Sequence, residues 1–213
     1  MRLLTTVLCT TVLAGAALSA QMPARPASPP GSAEIEVGGK WETEKAPNGR
    51  ERQVYKGGKW VTLSYGRPLK RGRELFGTGD AYATKLNAGA PVWRAGADVS
   101  TRLKTEAPLV IGGKTLAPGE YTMFVDLKPG NWTLIVSSHK PQMTYDPNNK
   151  TEIWGSYGYD PKSDVLRVPM QLTDIPFSIE ELSWGFTDMT EKGATLNLWW
   201  DKVNASVPIT LGS

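Results

Sequence analysis

Beyond residue 50, apolar and polar positions alternate with a period of two, which in an extended chain sends successive side chains to opposite faces of a sheet. Tyr121, Met123, Val125 and Leu127 alternate with Thr122, Phe124 and Asp126. Lys128-Pro129-Gly130-Asn131 then predicts a type II turn, with proline presetting one φ and glycine accepting a positive one. Trp132, Leu134 and Val136 lead the returning strand. Residues 108–111 and 114–116 flank Gly112-Gly113, and residues 53–56 and 59–65 flank Gly57-Gly58. Both patterns predict hairpins, because paired glycines supply the left-handed backbone of a primed turn. Residues 165–171, 177–187, 194–200 and 203–209 also read as extended, with Leu182, Trp184 and Phe186 on one face and Leu196, Leu198 and Trp200 on another. No window of twelve residues keeps a helical stripe, and at most single helical turns are expected around 69–75 or 178–182. About nine or ten short strands with closely spaced turns predict an all-β fold, an antiparallel β-sandwich or open barrel.

The N-terminal third follows other rules. Met1-Arg2, an apolar run over residues 3–18 and the small residues Ala17, Ser19 and Ala20 of Ala17-Leu18-Ser19-Ala20 form the pattern of a signal peptide over 1–20. Cleavage there would leave no transmembrane segment and an exported chain, periplasmic or extracellular. The single cysteine, Cys9, lies inside that run, so the mature chain is expected to hold neither thiol nor disulfide. Residues 21–33 contain four prolines and one bulky residue, Met22, which predicts a disordered tether. Residues 34–50 form a poorly defined extension, and 51–213 the β-sandwich domain. Gly-Gly-Lys-Trp occurs at 38–41 and again at 57–60, and is read as turn chemistry rather than a repeat architecture. The balance of 24 basic against 21 acidic side chains gives no nucleic-acid footprint.

Candidate chemistry is sparse. A hydrolytic triad needs a histidine base held by a carboxylate, and the one histidine, His139, sits at a strand end among serines and lysine. Gly155-Ser156-Tyr157-Gly158 has the wrong spacing for a nucleophile elbow. With one histidine and no mature cysteine, no metal site and no cofactor are expected. Asp146 to Glu152 lacks the glycine of a calcium loop and places Lys150 where a ligand oxygen belongs. Glu180 and Glu181 are adjacent and face opposite sides of a strand, whereas a glycosidase needs two convergent carboxyls.

Two groups of residues remain as candidate ligand contacts. Trp154, Tyr157 and Tyr159 crowd between glycines, where some rings must stay accessible to a flat ligand such as a sugar. Tyr65-Gly66-Arg67-Pro68 opens a basic stretch that continues through Lys70, Arg71 and Arg73. Proline ends the strand there, so most of the cluster is a charged loop. Arg67 stays on the strand side, with Arg94, beside Trp93 and Asp98, as its expected companion.

Tyr65-Gly66-Arg67-Pro68, Lys70-Arg71-Gly72-Arg73, Phe76-Gly77 and Pro91-Val92-Trp93-Arg94-Ala95-Gly96-Ala97-Asp98 together resemble a secreted bacterial family, the domain of unknown function 2911. Leu116-Ala117-Pro118-Gly119-Glu120-Tyr121-Thr122 and Trp154-Gly155-Ser156-Tyr157-Gly158-Tyr159 continue the resemblance, which spans about residues 51–209. Gly66, Ala95 and Asp98 stand where the family pattern has serine, threonine and asparagine. The resemblance implies a secreted or periplasmic β domain and carries no agreed activity. The resulting expectation is a non-catalytic binding or interaction module of the cell envelope. Its partner would be a carbohydrate, a small anion or another envelope protein, and not nucleic acid. The alternative is a carbohydrate-active hydrolase using an Asp/Glu pair.

Overall fold

A computed structural model describes residues 26–212. The expected signal peptide and the first part of the expected tether lie outside the described residues. Among the described residues, twelve strands make three antiparallel sheets. The largest has the order β1 (Pro30–Val37), β4 (Lys59–Gly66), β5 (Thr101–Thr105), β8 (Gly119–Asp126), β9 (Thr133–Ser137) and β10 (Asp164–Pro169). The second has the order β11 (Gln171–Thr190), β12 (Gly193–Leu211), β6 (Leu109–Ile111) and β7 (Lys114–Leu116). The third is the hairpin of β2 (Lys40–Lys45) and β3 (Glu51–Lys56). Neither main sheet closes, so the architecture is the expected sandwich.

Period-two burial builds the core between the two main sheets. Val61, Leu63 and Tyr65 of β4 face Leu182 and Trp184 of β11 and Leu196, Leu198 and Trp200 of β12, all buried. Four of the eight tryptophans, Trp93, Trp132, Trp184 and Trp200, are buried here. Trp93 stacks on Trp200 with ring centres 5.9 Å apart and planes 9° from parallel. It meets Trp132 edge-on at 6.4 Å, and Trp132 donates from Nε1 to the Tyr82 hydroxyl at 2.7 Å. The predicted turns at 112–113 and 128–131 are present: Ile111 pairs with Lys114, and the Asn131 amide donates to the Lys128 carbonyl with Gly130 at φ 68°. The expected helical turns are not. Residues 178–182 lie within β11, and the one short α-helical turn among the described residues is Thr84–Asn87.

Three expectations about the N-terminal third are corrected. Residues 30–33 are strand rather than tether, because β1 pairs with β4 from Pro30↔Gly66 to Val37↔Lys59. Residues 34–50 are likewise ordered, as the rest of β1, all of β2 and a turn closed by the Ala46 amide on the Arg50 carbonyl. The Gly57-Gly58 hairpin does not form: β3 pairs with β2, from Lys40↔Lys56 to Lys45↔Glu51. One register therefore runs through both ladders, and Gly38-Gly39 lies opposite Gly57-Gly58. The repeated Gly-Gly-Lys-Trp is a matched break in the two strands of one long ribbon. Gly38 and Gly57 take φ of 74° and 71°, conformations that a side chain would strain. Beyond the break the β2–β3 arm is mostly exposed, with Trp41 at 67% packed edge-on against Tyr55.

Candidate functional site

The outer face of the six-stranded sheet is the part that the core does not use. Cross-strand pairing sets one polar row across it: Ser32, Ser64, Arg102, Thr122, Ser137 and Asp164, each directly opposite the next. One step along, Phe124 and Ile135 form a small second core with Val92 and Ile153, covered by Tyr159. The cover is the long connection between β9 and β10. Its buried Gln142 organises it, donating from Nε2 to the Asn149 and Glu152 carbonyls and accepting from the Asp146 amide. This connection walls two recesses on the sheet, of about 620 and 480 Å³, which share Ser64, Arg102 and Met143. A third recess of about 300 Å³ lies within the connection itself, lined by Tyr145, Trp154 and Tyr157 together with Asp146, Lys150 and Glu152.

The candidate residues from the sequence separate into five places. Trp93 belongs wholly to the core. Tyr65 is buried and donates to the Trp184 carbonyl at 3.2 Å; burial raises its pKa, only partly offset by that hydrogen bond. Arg67 pairs through Nη1 with Glu181 and donates from Nε to the Pro30 carbonyl at 3.0 Å. Of the neighbouring basic residues only Lys70 forms an ion pair, while the Arg71 and Arg73 side chains are exposed. Lys70 meets Asp201 at 2.5 Å, the Arg71 amide donates to the Glu180 carboxylate at 2.6 Å, and the Arg73 side chain donates to the carbonyls of Leu69 and Lys70. The basic stretch is a clamp from the end of β4 onto β11 and β12.

Arg94 does not join Arg67. It donates to the backbone carbonyl of Asp98 at 2.7 Å and lies over the Tyr157 ring, 5.8 Å from its centre. The loop that carries it is tightly specified. The Ala95 carbonyl accepts from Trp184 Nε1 and Thr101 Oγ1, and Ser100 Oγ donates to the Gly155 carbonyl at 2.6 Å. Gly66 admits this loop, since a Cβ there would stand 2.2 Å from the Ala97 carbonyl oxygen. The Asp98 side chain is exposed at the rim of the 620 Å³ recess.

Tyr159 is structural. Its hydroxyl donates to Asp164 at 2.6 Å and accepts from Arg167, which also reaches Asp126 at 2.9 Å. Burial, then the adjoining Asp164 carboxylate, hold the Tyr159 pKa above the ordinary tyrosine range. Tyr157, by contrast, is 49% exposed, and the half-buried Trp154 carries a third, exposed ring, Tyr145, tilted against it at 5.7 Å.

Sequence reasoning missed Arg102, Met143 and Tyr145. Arg102 was legible only through its strand, Thr-Arg-Leu-Lys-Thr, whose alternation is as regular as any in the chain. Its Nε is shut off from solvent without an acceptor, and its Nη1 contacts only the Met143 sulfur, at 3.2 Å.

The fold and this outer face define a class: an antiparallel two-sheet β-sandwich with a loop-walled, partly aromatic groove on its larger sheet. The chain belongs to the family described as a protein of unknown function (DUF2911), whose model matches residues 47–209. Strands β1 and β2 precede the matched segment. No curated protein and no solved structure matches the chain.

Proposed function

We propose that this protein is an exported, non-catalytic binding module of the cell envelope that holds carbohydrate in the recess of the β9–β10 connection. The observation that supports this reading is a set of three rings, the exposed Tyr145 and Tyr157 and the half-buried Trp154, around a concave surface with amide and charged groups on its wall. Aromatic faces take the C–H face of a sugar, while flanking polar groups orient its hydroxyls. Arg94 stiffens the platform by lying over Tyr157. Export follows from the apolar run over residues 3–18 and its small-residue end.

The test is a titration of the chain beginning at Gln21 with N-acetylglucosamine oligomers and a panel of envelope glycans, read by tryptophan fluorescence. Saturable binding is expected, and Trp154→Ala should weaken it about tenfold, or about 1.4 kcal/mol. Binding that ignores Trp154 and Tyr157, or no binding to any glycan, removes the reading.

A hydrolase reading has one observation in its favour, because Asp146 and Glu152 line the same recess. Each is also engaged in holding the loop: Asp146 accepts from the Asn148 amide at 2.9 Å and Glu152 from Asn149 Nδ2 at 2.8 Å. Release of reducing ends from a bound glycan, lost in Asp146→Asn while binding persists, would favour the enzyme.

A further inference from the structure

We propose that the groove over the outer face of the six-stranded sheet is a second ligand site, centred on Arg102, that takes the carboxylate of a small organic acid. This goes beyond the carbohydrate reading and does not depend on it.

The argument starts from what Arg102 lacks. Its neighbours across the sheet, Ser64 and Thr122, are neutral hydroxyls. Arg67 has Glu181, Lys70 has Asp201, Arg167 has Asp164 and Asp126, and Lys104 has Glu120, while Arg73 and Arg94 at least reach backbone carbonyls. Arg102 forms no ion pair among the described residues, although it stands on an interior strand. Its Nε has lost water without gaining an acceptor, and a buried guanidinium donor normally finds one. Its one contact, the thioether of Met143, is a weak acceptor.

The surroundings say what is missing. Arg102 borders both sheet recesses, so the groove on either side of Met143 reaches the guanidinium. The 480 Å³ recess sets Arg102, Lys104 and Lys140 against Glu120 and Glu152, three positive charges to two negative, and that excess of one complements a single negative charge. A carboxylate also matches the planar fork of arginine. Met143 and Pro141 supply apolar wall, which suits an organic acid better than an inorganic anion. Met143 itself is 56% exposed on the β9–β10 connection and is unbranched, so it can swing aside as a displaceable plug.

The test uses the chain beginning at Gln21, labelled with ¹⁵N, and follows the Arg102 Nε–Hε resonance. Probes are benzoate and glucuronate, with benzyl alcohol and glucose as neutral counterparts and inorganic phosphate as the inorganic anion. Both carboxylates should shift that resonance saturably at millimolar concentration, the neutral counterparts should not, and phosphate should act far more weakly. Met143→Ala should tighten carboxylate binding several-fold, and Trp154→Ala should leave it unchanged, which separates this site from the aromatic recess. Arg102→Gln should abolish binding without lowering the melting temperature, since an unsatisfied donor goes with the charge. No saturable shift with either carboxylate, an equal response to the neutral probes, or unfolding on Arg102→Gln together with an unresponsive Nε in the parent chain would overturn the proposal.

Discussion

Arg67 closes β4 and reaches two partners at once, the Glu181 carboxylate and the Pro30 carbonyl. A guanidinium stranded in a core by loss of its partner costs about 3–5 kcal/mol. The Arg67 and Glu181 side chains are instead 36% and 34% exposed, so water screens the pair. A double-mutant cycle of Arg67→Ala and Glu181→Ala should return a coupling of about 1 kcal/mol or less. Arg67→Ala alone should cost about 1–2 kcal/mol, because it also drops the hydrogen bond to Pro30. Chemical denaturation of the three variants measures both, and a coupling several times larger would mean that the pair is drier than its exposure indicates. The sequence marked Arg67 as distinct from its basic neighbours because proline follows it. It could not supply the partner, which lies 114 residues away and arrives only when β11 packs beside β4. Trp93 shows the same limit in reverse. Its neighbours Arg94 and Asp98 suggested a site, and the ring went to the core because Trp200 offered a parallel face.

Strands reveal why local signals mislead. Glycine pairs predict hairpin turns because both need left-handed backbone, and at Gly112-Gly113 that inference holds. At Gly57-Gly58 the same chemistry serves a break in a ribbon whose other strand carries its own glycine pair. The second copy of Gly-Gly-Lys-Trp was the available clue. β1 hid behind its prolines: Pro30 starts an edge strand, where a missing amide hydrogen costs no ladder bond on the solvent side. A chain beginning at Glu34 should therefore be less stable than one beginning at Pro26, by about 2–4 kcal/mol for four lost strand pairs. Side-by-side thermal unfolding decides this, and equal melting temperatures would show that residues 30–33 add nothing to the sheet. The candidate recess was half legible: Trp154 and Tyr157 stood out by composition, whereas Tyr145 was lost in a polar loop. Arg102, in the groove over the sheet, was hidden in a short strand, Thr101–Thr105.

For the molecule as a whole, the segment after β4 is what locks one sheet to the other. The Lys70 amide donates to the Glu180 carbonyl at 2.7 Å, the Leu182 amide to Pro68 at 3.0 Å, and Lys70 reaches across to Asp201 of β12. Burial pushes the Asp201 pKa up, but hydrogen bonds from Lys70 and Ser178, with the charges of Lys70 and Lys202, outweigh it and hold the carboxyl below its ordinary value. A depressed folded-state pKa contributes stability above the unfolded value, near 3.9, and loses it as pH falls through the folded value. The stability gap between the parent chain and Asp201→Asn should thus be constant near neutrality and shrink below about pH 4. Denaturant melts at a series of pH values measure it, and a gap indifferent to pH would show that the clamp is not electrostatic.

The single register through β1–β4 and β2–β3 has a consequence for how the chain reaches this state. Joining Pro30 directly to Gly66 would close a loop of more than thirty residues, at the entropic cost that such closures carry. The ribbon offers a local route, beginning at the turn over 46–50 and adding one neighbouring pair at a time. The opposed glycines are where that route costs most entropy, since four flexible residues must be ordered there with few side chains to reward it. Past them, the growing ladder carries β1 to the sheet edge without a long-range search. Stiffening the break at Gly39 would also force a Cβ to within 2.5 Å of the Tyr55 ring, so the same contact that shapes the arm keeps that flexibility in the chain.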